Sequence, residues 1–365
     1  MRLLPCLAAV AALSLLPSLL HAQEPDLPAA LDAIRVKHHI PALTAAYFTT
    51  DGLIEQGTVG VRKAGTTIPA TDGDLWHLGS DTKMMTSALA GTFVAEGKLA
   101  WDAPVVSYFP GLEAKVPEAM RAVTVGQVLS HRAGLQENLD WGTLGARGNM
   151  REARRAAVEI ALAKPAYPVG SYHYANTDFV VVGAILEKLG EKPWEELMRE
   201  RIFQPLGMTS AGFGGTGTPG RVDQPWPHAE SGAPMPMNGP KTDNPEAMGP
   251  AGTVHCTVAD WTKFLTDQLR GAAGLPALMP PEIYQAMQTP APGADYAYGI
   301  ATGNRPWAGG KVLTHNGSNT MNFAVCWLAP NKKFGVVACT NQGGKEAGAA
   351  CDEACNLLIS RHAGH

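Results

Sequence analysis

The sequence predicts an α+β fold, an α/β sandwich whose antiparallel sheet is built from both ends of the chain, with flanking helices and an inserted, mostly helical region. Three observations carry this prediction. Strand patterns joined by a turn occupy residues 42–61, and further strand patterns return over 298–340. Between them, helical spacing alternates with Gly- and Pro-rich breaks. The boundaries read as a sheet part over about 23–78 and 290–365 and a helical part over about 79–289, within one domain spanning 23–365.

Composition fits a globular chain. The 365 residues are 45% hydrophobic and 17% charged, with a net charge of −4, which excludes disordered and fibrous classes. Lys and Arg form no cluster interleaved with aromatics, so nucleic acid is not expected as a partner. Residues 1–22 read as a signal peptide. Arg2 supplies the positive start, Leu3 to Leu20 is apolar but broken by Pro5 and Pro17, and small Ala22 precedes the polar Gln23. The expected product is exported, periplasmic or extracellular in a bacterium, with no stable membrane anchor after cleavage. The cut would leave Cys256, Cys326, Cys339, Cys351 and Cys355. The odd number leaves at least one thiol free or paired between chains. Cys326 and Cys339 fall on neighbouring strand patterns, where a bridge could form, but packing is the better reading for these cysteines. No His-Glu-x-x-His or Cys-x-x-Cys occurs, and no metal is implied.

Taken in order, Pro25 to His39 has helical spacing with Asp26 as a cap. Ala42–Phe48 and Leu53–Val61 form a hairpin around Thr50-Asp51-Gly52. A helix opening at Ser80 and running to about Glu96 is apolar nearly all round, which predicts burial. Thr124 with Gln127 forms a capping box for a short helix. Helices follow at Met150–Leu162, Phe179–Leu189, Pro193–Phe203, Val258–Leu269 and Pro281–Met287. Residues 211–252 are rich in Gly and Pro without periodicity, a linker or functional loop in which Trp226 and His228 predict packing. Strands return at Tyr298–Ala301, Lys311–His315, Met321–Leu328 and Phe334–Thr340, and a helix from about Lys345 to Ile359 closes the chain.

Ser80 and Lys83 are the candidate nucleophile and base. Residues three apart on a helix share a face, so a hydroxyl at the helix start meets an amine one turn later. The free N–H groups there also favour anionic oxygen. The plain alternative is a capping Ser before a solvated Lys. Two further segments follow: Tyr174-x-Asn176 in a loop before a helix, and His315-Asn316-Gly317-Ser318 at a strand end.

In this order and spacing the three segments resemble the motifs of the serine β-lactamase and penicillin-binding superfamily. The class C β-lactamases, DD-carboxypeptidases, D-aminopeptidases and β-lactamase-like esterases are the nearest groups. Leu129-Ser130-His131-Arg132-Ala133-Gly134-Leu135, Pro205-Leu206-Gly207-Met208 and Gly249-Pro250-Ala251-Gly252 extend the resemblance over nearly the whole chain after residue 22. It implies a β-lactamase/transpeptidase-like fold, a Ser80 nucleophile and no cofactor. Lys83 and Tyr174 share the base role, either being able to take the Ser80 proton, with the Tyr174 phenol acidified by the nearby ammonium. Asn176 would hold Lys83 or the substrate amide. The N–H groups of Ser80 and Ser318 would form the oxyanion hole, and Gly317 would let substrate lie against the strand.

His315 departs from the class C pattern of Lys-Thr-Gly. A histidine there implies weaker, pH-dependent carboxylate binding, and Asn316 replaces a hydroxyl or Gly. Both count against an efficient β-lactamase. His131, His173 and His255 are read as packing or locally bonded residues, and Asp81 and Glu137 as rim residues. Tyr172 competes with Tyr174 but lacks an Asn two residues on. The expected activity is acyl hydrolysis of a small amide, peptide (D-amino-acid peptides included) or ester. The alternatives are a slow-acylating penicillin-binding receptor, a weak β-lactamase, or a binding module without chemistry.

Overall fold

Strand β1 (Ala42–Thr49) turns at Asp51 into β2 (Gly52–Gly60), as the strand patterns and the Asp-Gly pair predict. These are the first strands in a computed structural model that describes residues 26–237 and 242–363. The signal peptide expected over residues 1–22 lies outside the described residues. The main sheet is antiparallel with strand order β2-β1-β9-β8-β7-β6. Its later strands are β6 (Ala301–Arg305), β7 (Gly310–Ser318), β8 (Phe323–Ala329) and β9 (Phe334–Thr340). β1 lies beside β9, with Leu43 opposite Thr340 and Thr49 opposite Phe334, so the two ends of the chain share one sheet. The predicted α+β architecture is therefore observed.

Three short strands were not legible in the sequence. β3 (Trp76–His77), β4 (Gly212–Phe213) and β5 (Val254–Cys256) form a small sheet of order β3-β5-β4 beside Ser80.

Helices cover both faces of the main sheet. On one face lie α1 (Leu27–Lys37), capped by Asp26, and the closing helix, Lys345–Ala363. Leu31, Ile34, Val336, Ala338, Ala354 and Leu358 fill the core between them and the sheet. The other face carries the inserted region, with α2 (Thr82–Ala95), α3 (Val125–Leu129), α4 (Met150–Ala163), α5 (Asn176–Gly190), α6 (Val258–Ala272) and α7 (Pro281–Met287). The capping box at Thr124 and Gln127 forms as expected. α2 is buried over Thr82–Gly91, as its apolar circumference predicts. α7 packs on α2 at Gly91, where a Cβ would crowd Met279, Ile283 and Met287. Among the described residues no helix is long and apolar enough to cross a membrane.

The Gly- and Pro-rich stretch over 211–252 packs against the body, as Trp226 and His228 suggest. Lys63 Nζ stands 3.6 Å over the Trp226 ring. His228 is fully buried and bonded to the carbonyl of Asn341 and the N–H of Ala64. The five cysteines among the described residues are buried free thiols, so the bridge considered between Cys326 and Cys339 is absent. The register explains why: Cys326 is opposite Val337 and Cys339 is opposite Ala324, two positions out of line. Packing accounts for all five.

Candidate active site

Ser80 lies in a single 3-10 turn (Gly79–Asp81) that leads into α2. Gly79 has φ +50, and a Cβ there would overlap the backbone N of Ser318. Gly317 faces the same turn from β7. A Cβ on it would overlap the Leu78 carbonyl and lie 2.6 Å from the Ser80 N. The two glycines thus let β7 close on the Ser80 turn and bring the backbones of Ser80 and Ser318 together. Gly317 is needed for this contact between strand and turn, a role beyond the substrate clearance expected of it.

Lys83 follows one turn later with a fully buried side chain. Its Nζ is 3.0 Å from Ser80 Oγ, 2.8 Å from Asn176 Oδ1 and 2.8 Å from the Ala251 carbonyl. Burial lowers its pKa to about 7, against the opposing pull of Asp178 and Asp81. Asn176 and Ala251 can only accept from Lys83 through these oxygens. A neutral amine therefore spends both N–H groups on them and aims its lone pair at the Ser80 hydroxyl. Thr82 and Thr86 fix this face of α2 further, Thr82 Oγ1 accepting the Val254 N–H and Thr86 Oγ1 donating to the Pro250 carbonyl.

Asn176 opens α5, its N–H bonded to the Glu137 carbonyl and its side-chain amide to Asn138 Oδ1 at 3.0 Å. That leaves the Asn176 Oδ1 for Lys83. Tyr174 hydrogen-bonds Ser80, and its ring lies 4.8 Å from Lys83 Nζ. Burial pushes the Tyr174 phenol well up, outweighing the Ser80 hydrogen bond that lowers it. The expected acidification of Tyr174 is therefore not found: desolvation of the phenolate dominates.

His131 does more than bond locally. Its carbonyl accepts the His173 N–H, and its Nδ1 lies 3.2 Å from the Ala175 N and 2.6 Å from Asp178 Oδ2. It brackets Tyr174 from both sides. His255 stays local to its small sheet, bonded to the Gly214 carbonyl. His173 stacks on Tyr167 at 3.8 Å, as a packing role predicts.

His315 is buried, with Nε2 3.0 Å from Tyr296 Oη and Nδ1 3.6 Å from Asp81 Oδ1. Burial, helped by the Lys83 charge, lowers its pKa to about 3. It is neutral throughout the physiological range, so the expected pH-dependent grip on a carboxylate does not follow from this geometry. Asp81 is fully buried beneath the turn rather than on a rim, and burial raises its pKa well above the carboxylate range. Glu137 is exposed, as expected for a rim residue. Ser318 is exposed, but its hydroxyl belongs to the following turn, donating to the Asn322 carbonyl and accepting the Thr320 N–H. Its backbone is what faces the Ser80 turn.

β6 pairs with β7 only from Gly310 to Thr314. The stretch from His315 to Ser318 has no β6 partner and forms an open edge beside Ser80. Tyr172, exposed, and buried Tyr296 continue the wall with ring centroids 5.7 Å apart. Sequence reasoning missed Asp178, Asn138 and Tyr296. Their only signal was nearness in space to the motif residues. Among the described residues no group of His, Cys, Asp and Glu could hold a metal ion.

An antiparallel sheet closed from both chain ends, with a Ser-x-x-Lys turn against one strand and a helical insertion above it, defines the serine β-lactamase-like fold. The chain belongs to the Beta-lactamase family, whose model matches residues 26–356. Penicillin-binding protein 4 of Amycolatopsis lactamdurans is 31% identical over 177 residues, which cover 48% of this chain and 46% of that protein. The unguisins hydrolase ungD' of Aspergillus campestris (strain IBT 28561) is 25% identical over 321 residues, 83% of this chain and 59% of its own length. A solved D-stereospecific amidohydrolase from Streptomyces sp. shares the fold with a TM-score of 0.69 at 22% identity, covering 93% of this chain and all of that one. The chain thus spans about half the length of the curated relatives it matches.

Proposed function

We propose that the protein is an exported serine acyl hydrolase, acting through an acyl-enzyme on Ser80 upon a small amide, peptide or ester. The observation that carries this reading is the Lys83 amine, buried and titrating near 7, with Ser80 Oγ as its one hydroxyl neighbour among three oxygens. Neutral Lys83 takes the Ser80 proton as Oγ attacks the acyl carbon. The tetrahedral oxyanion forms between the backbone N–H groups of Ser80 and Ser318. Each such donor is typically worth about 3 kcal/mol of barrier. Tyr174, kept protonated by burial, donates to the departing group and is reprotonated from the Lys83 ammonium. Water then attacks the acyl-enzyme by the reverse relay. In the free enzyme this arrangement favours Lys83 over Tyr174 as the base.

The substrate class rests on the open edge of β7, which suits an extended acyl chain, and on neutral His315. The amidohydrolase and hydrolase names among the relatives agree with amide chemistry, D-amino-acid peptides included. The similarity to a penicillin-binding protein favours a second reading, a receptor that acylates and releases slowly.

The test is turnover of p-nitrophenyl butyrate, nitrocefin, and D- and L-alanyl p-nitroanilides by wild type and Ser80→Ala. Turnover abolished in the variant supports the reading, and the preferred substrate sets its class. Equal activity in both removes Ser80 as nucleophile. A burst of one equivalent without turnover favours the receptor. Export is tested by the N-terminus of protein recovered from the periplasm or medium, expected at Gln23.

A further inference from the structure

His77 ends β3 three residues before Ser80, with its side chain 2% exposed. Its Nδ1 accepts the Gly79 N–H at 3.1 Å. That bond fixes the ring tautomer, because the proton of a neutral imidazole must then sit on Nε2. Nε2 stands 2.7 Å from Asp243 Oδ1, a close polar contact out of line for a hydrogen bond. The same carboxylate oxygen takes the Asn244 N–H at 2.6 Å and Asn319 Nδ2 at 3.3 Å. The contacts with His77, Asn244 and Asn319 all help hold the Asp243 carboxyl below its usual range, against the opposing effect of burial.

Both ends of this chain of contacts reach the reacting centre without touching it. At one end, the Gly79 N–H precedes Ser80. At the other, Asn319 directly follows Ser318, and its Oδ1 accepts from the Met321 N and Asn322 Nδ2, closing the turn in which Thr320 has φ +72. A third arm runs from Asn244 Nδ2 to the Gly252 carbonyl at 2.7 Å, beside the Ala251 carbonyl that accepts from Lys83. A polar cluster of this kind is not needed for packing, since well-fitted apolar residues would serve stability as well.

We propose that His77 and Asp243 are positioning residues that tie the Gly79–Ser80 turn to the Ser318–Asn319 turn, setting the separation of the two oxyanion-hole donors and the placement of the Lys83 acceptor. The inference rests on the acyl-transfer reading of Ser80. A displacement of about 1 Å in such a constellation typically costs about 100-fold in rate.

The experiment measures saturation kinetics of Ser80 labelling by a fluorescent fluorophosphonate, in which Lys83 takes the Oγ proton as Oγ bonds to phosphorus and fluoride departs. Its tetrahedral adduct needs the oxyanion hole, and no natural substrate need be known. Asp243→Ala is expected to lower the maximal labelling rate about 100-fold with little change in the half-saturating concentration. Asp243→Asn keeps an oxygen acceptor and should recover most of the rate. His77→Asn keeps an acceptor near the Gly79 N–H but falls short of Asp243, and should match Asp243→Ala. Melting temperatures restrict the comparison to folded protein. Should Asp243→Ala fail to fold, His77→Asn decides by the same two constants. Folded Asp243→Ala or His77→Asn labelled at the wild-type rate overturns the positioning role. Wild type that does not label, or labels as well in Ser80→Ala, overturns the acyl-transfer reading instead.

Discussion

Replacing Asn176 with Ala should move the pH dependence of acylation to lower pH. The Asn176 Oδ1 is one of three oxygens around Lys83 Nζ, at 2.8 Å, and its removal costs the ammonium more than the neutral amine. A hydrogen bond to a charged group contributes about 1.5–3 kcal/mol, and each 1.36 kcal/mol shifts a pKa by one. Lys83 starts at about 7 through burial, so its midpoint in the variant should fall to about 5–6. In wild type the neutral fraction rises about tenfold between pH 6 and pH 8, and the acylation rate should rise with it. In the variant most of that rise should already be complete at pH 6, at a lower plateau because the base is less firmly held. Stopped-flow measurement of the p-nitrophenolate burst from pH 5 to pH 9 reads the midpoint independently of the plateau. A midpoint that stays near 7 in Asn176→Ala, or a wild-type rate that is flat across this range, would refute Lys83 as a base tuned by its buried acceptors.

Gly317→Ala places a Cβ on the Leu78 carbonyl and against the Ser80 N. β7 must move off the turn, with an expected loss of about 1–3 kcal/mol of stability and about 100-fold in acylation, read by denaturant unfolding and burst kinetics. Arg154 is fully buried and bonds Glu187, Glu195 and the carbonyls of Glu246 and Ala247. Arg154→Met leaves the buried Glu187 unpaired and should cost about 3–5 kcal/mol in denaturant unfolding. The His38 pKa is raised by hydrogen bonds to Glu346 and Glu353. Its contribution to stability is therefore full below its ordinary pKa and lost as pH rises through the raised value. The melting temperature gap between wild type and His38→Gln should be larger at pH 5.5 than at pH 8.5. Cys326 and Cys339 should both take up an alkylating reagent in unfolded, unreduced protein, whereas a bridge would protect both.

Much of the fold was legible because its long elements carry sustained strand or helix patterns bounded by turn signals. The β1–β2 hairpin showed two strand-like runs around Asp51-Gly52, and α2 showed an apolar circumference that only a buried helix tolerates. β3, β4 and β5 were not legible, since strands of two or three residues contain no period to read. β6 was expected near Tyr298–Ala301 and forms at Ala301–Arg305, where Gly303 and Asn304 lack strand character. In the site, Ser80, Lys83, Tyr174 and Asn176 could be named because their spacing is local or motif-like. The burial of Asp81 and His315 could not. It arises where β7 and β8 pack on the Ser80 turn, and Tyr296, the partner of His315, comes from outside any motif. The same holds for Asp243, which lies in a stretch without periodicity and reaches His77 only through the folded loop.

The placement of β9 between β1 and β8 bears on when the surroundings of Lys83 can be assembled. The first hairpin waits for a strand almost 300 residues downstream (Leu43 pairs with Thr340). Such non-local pairing slows folding, because loop closure must precede its reward. A nascent chain that has emerged only through α2 holds Ser80 and Lys83 but lacks Asn176, Ala251 and β7. In water its lysine keeps an amine pKa of about 10.4 and is almost wholly protonated at neutral pH. Under the proposed acyl-transfer role, Lys83 gains its lowered pKa only once the fold has assembled around it.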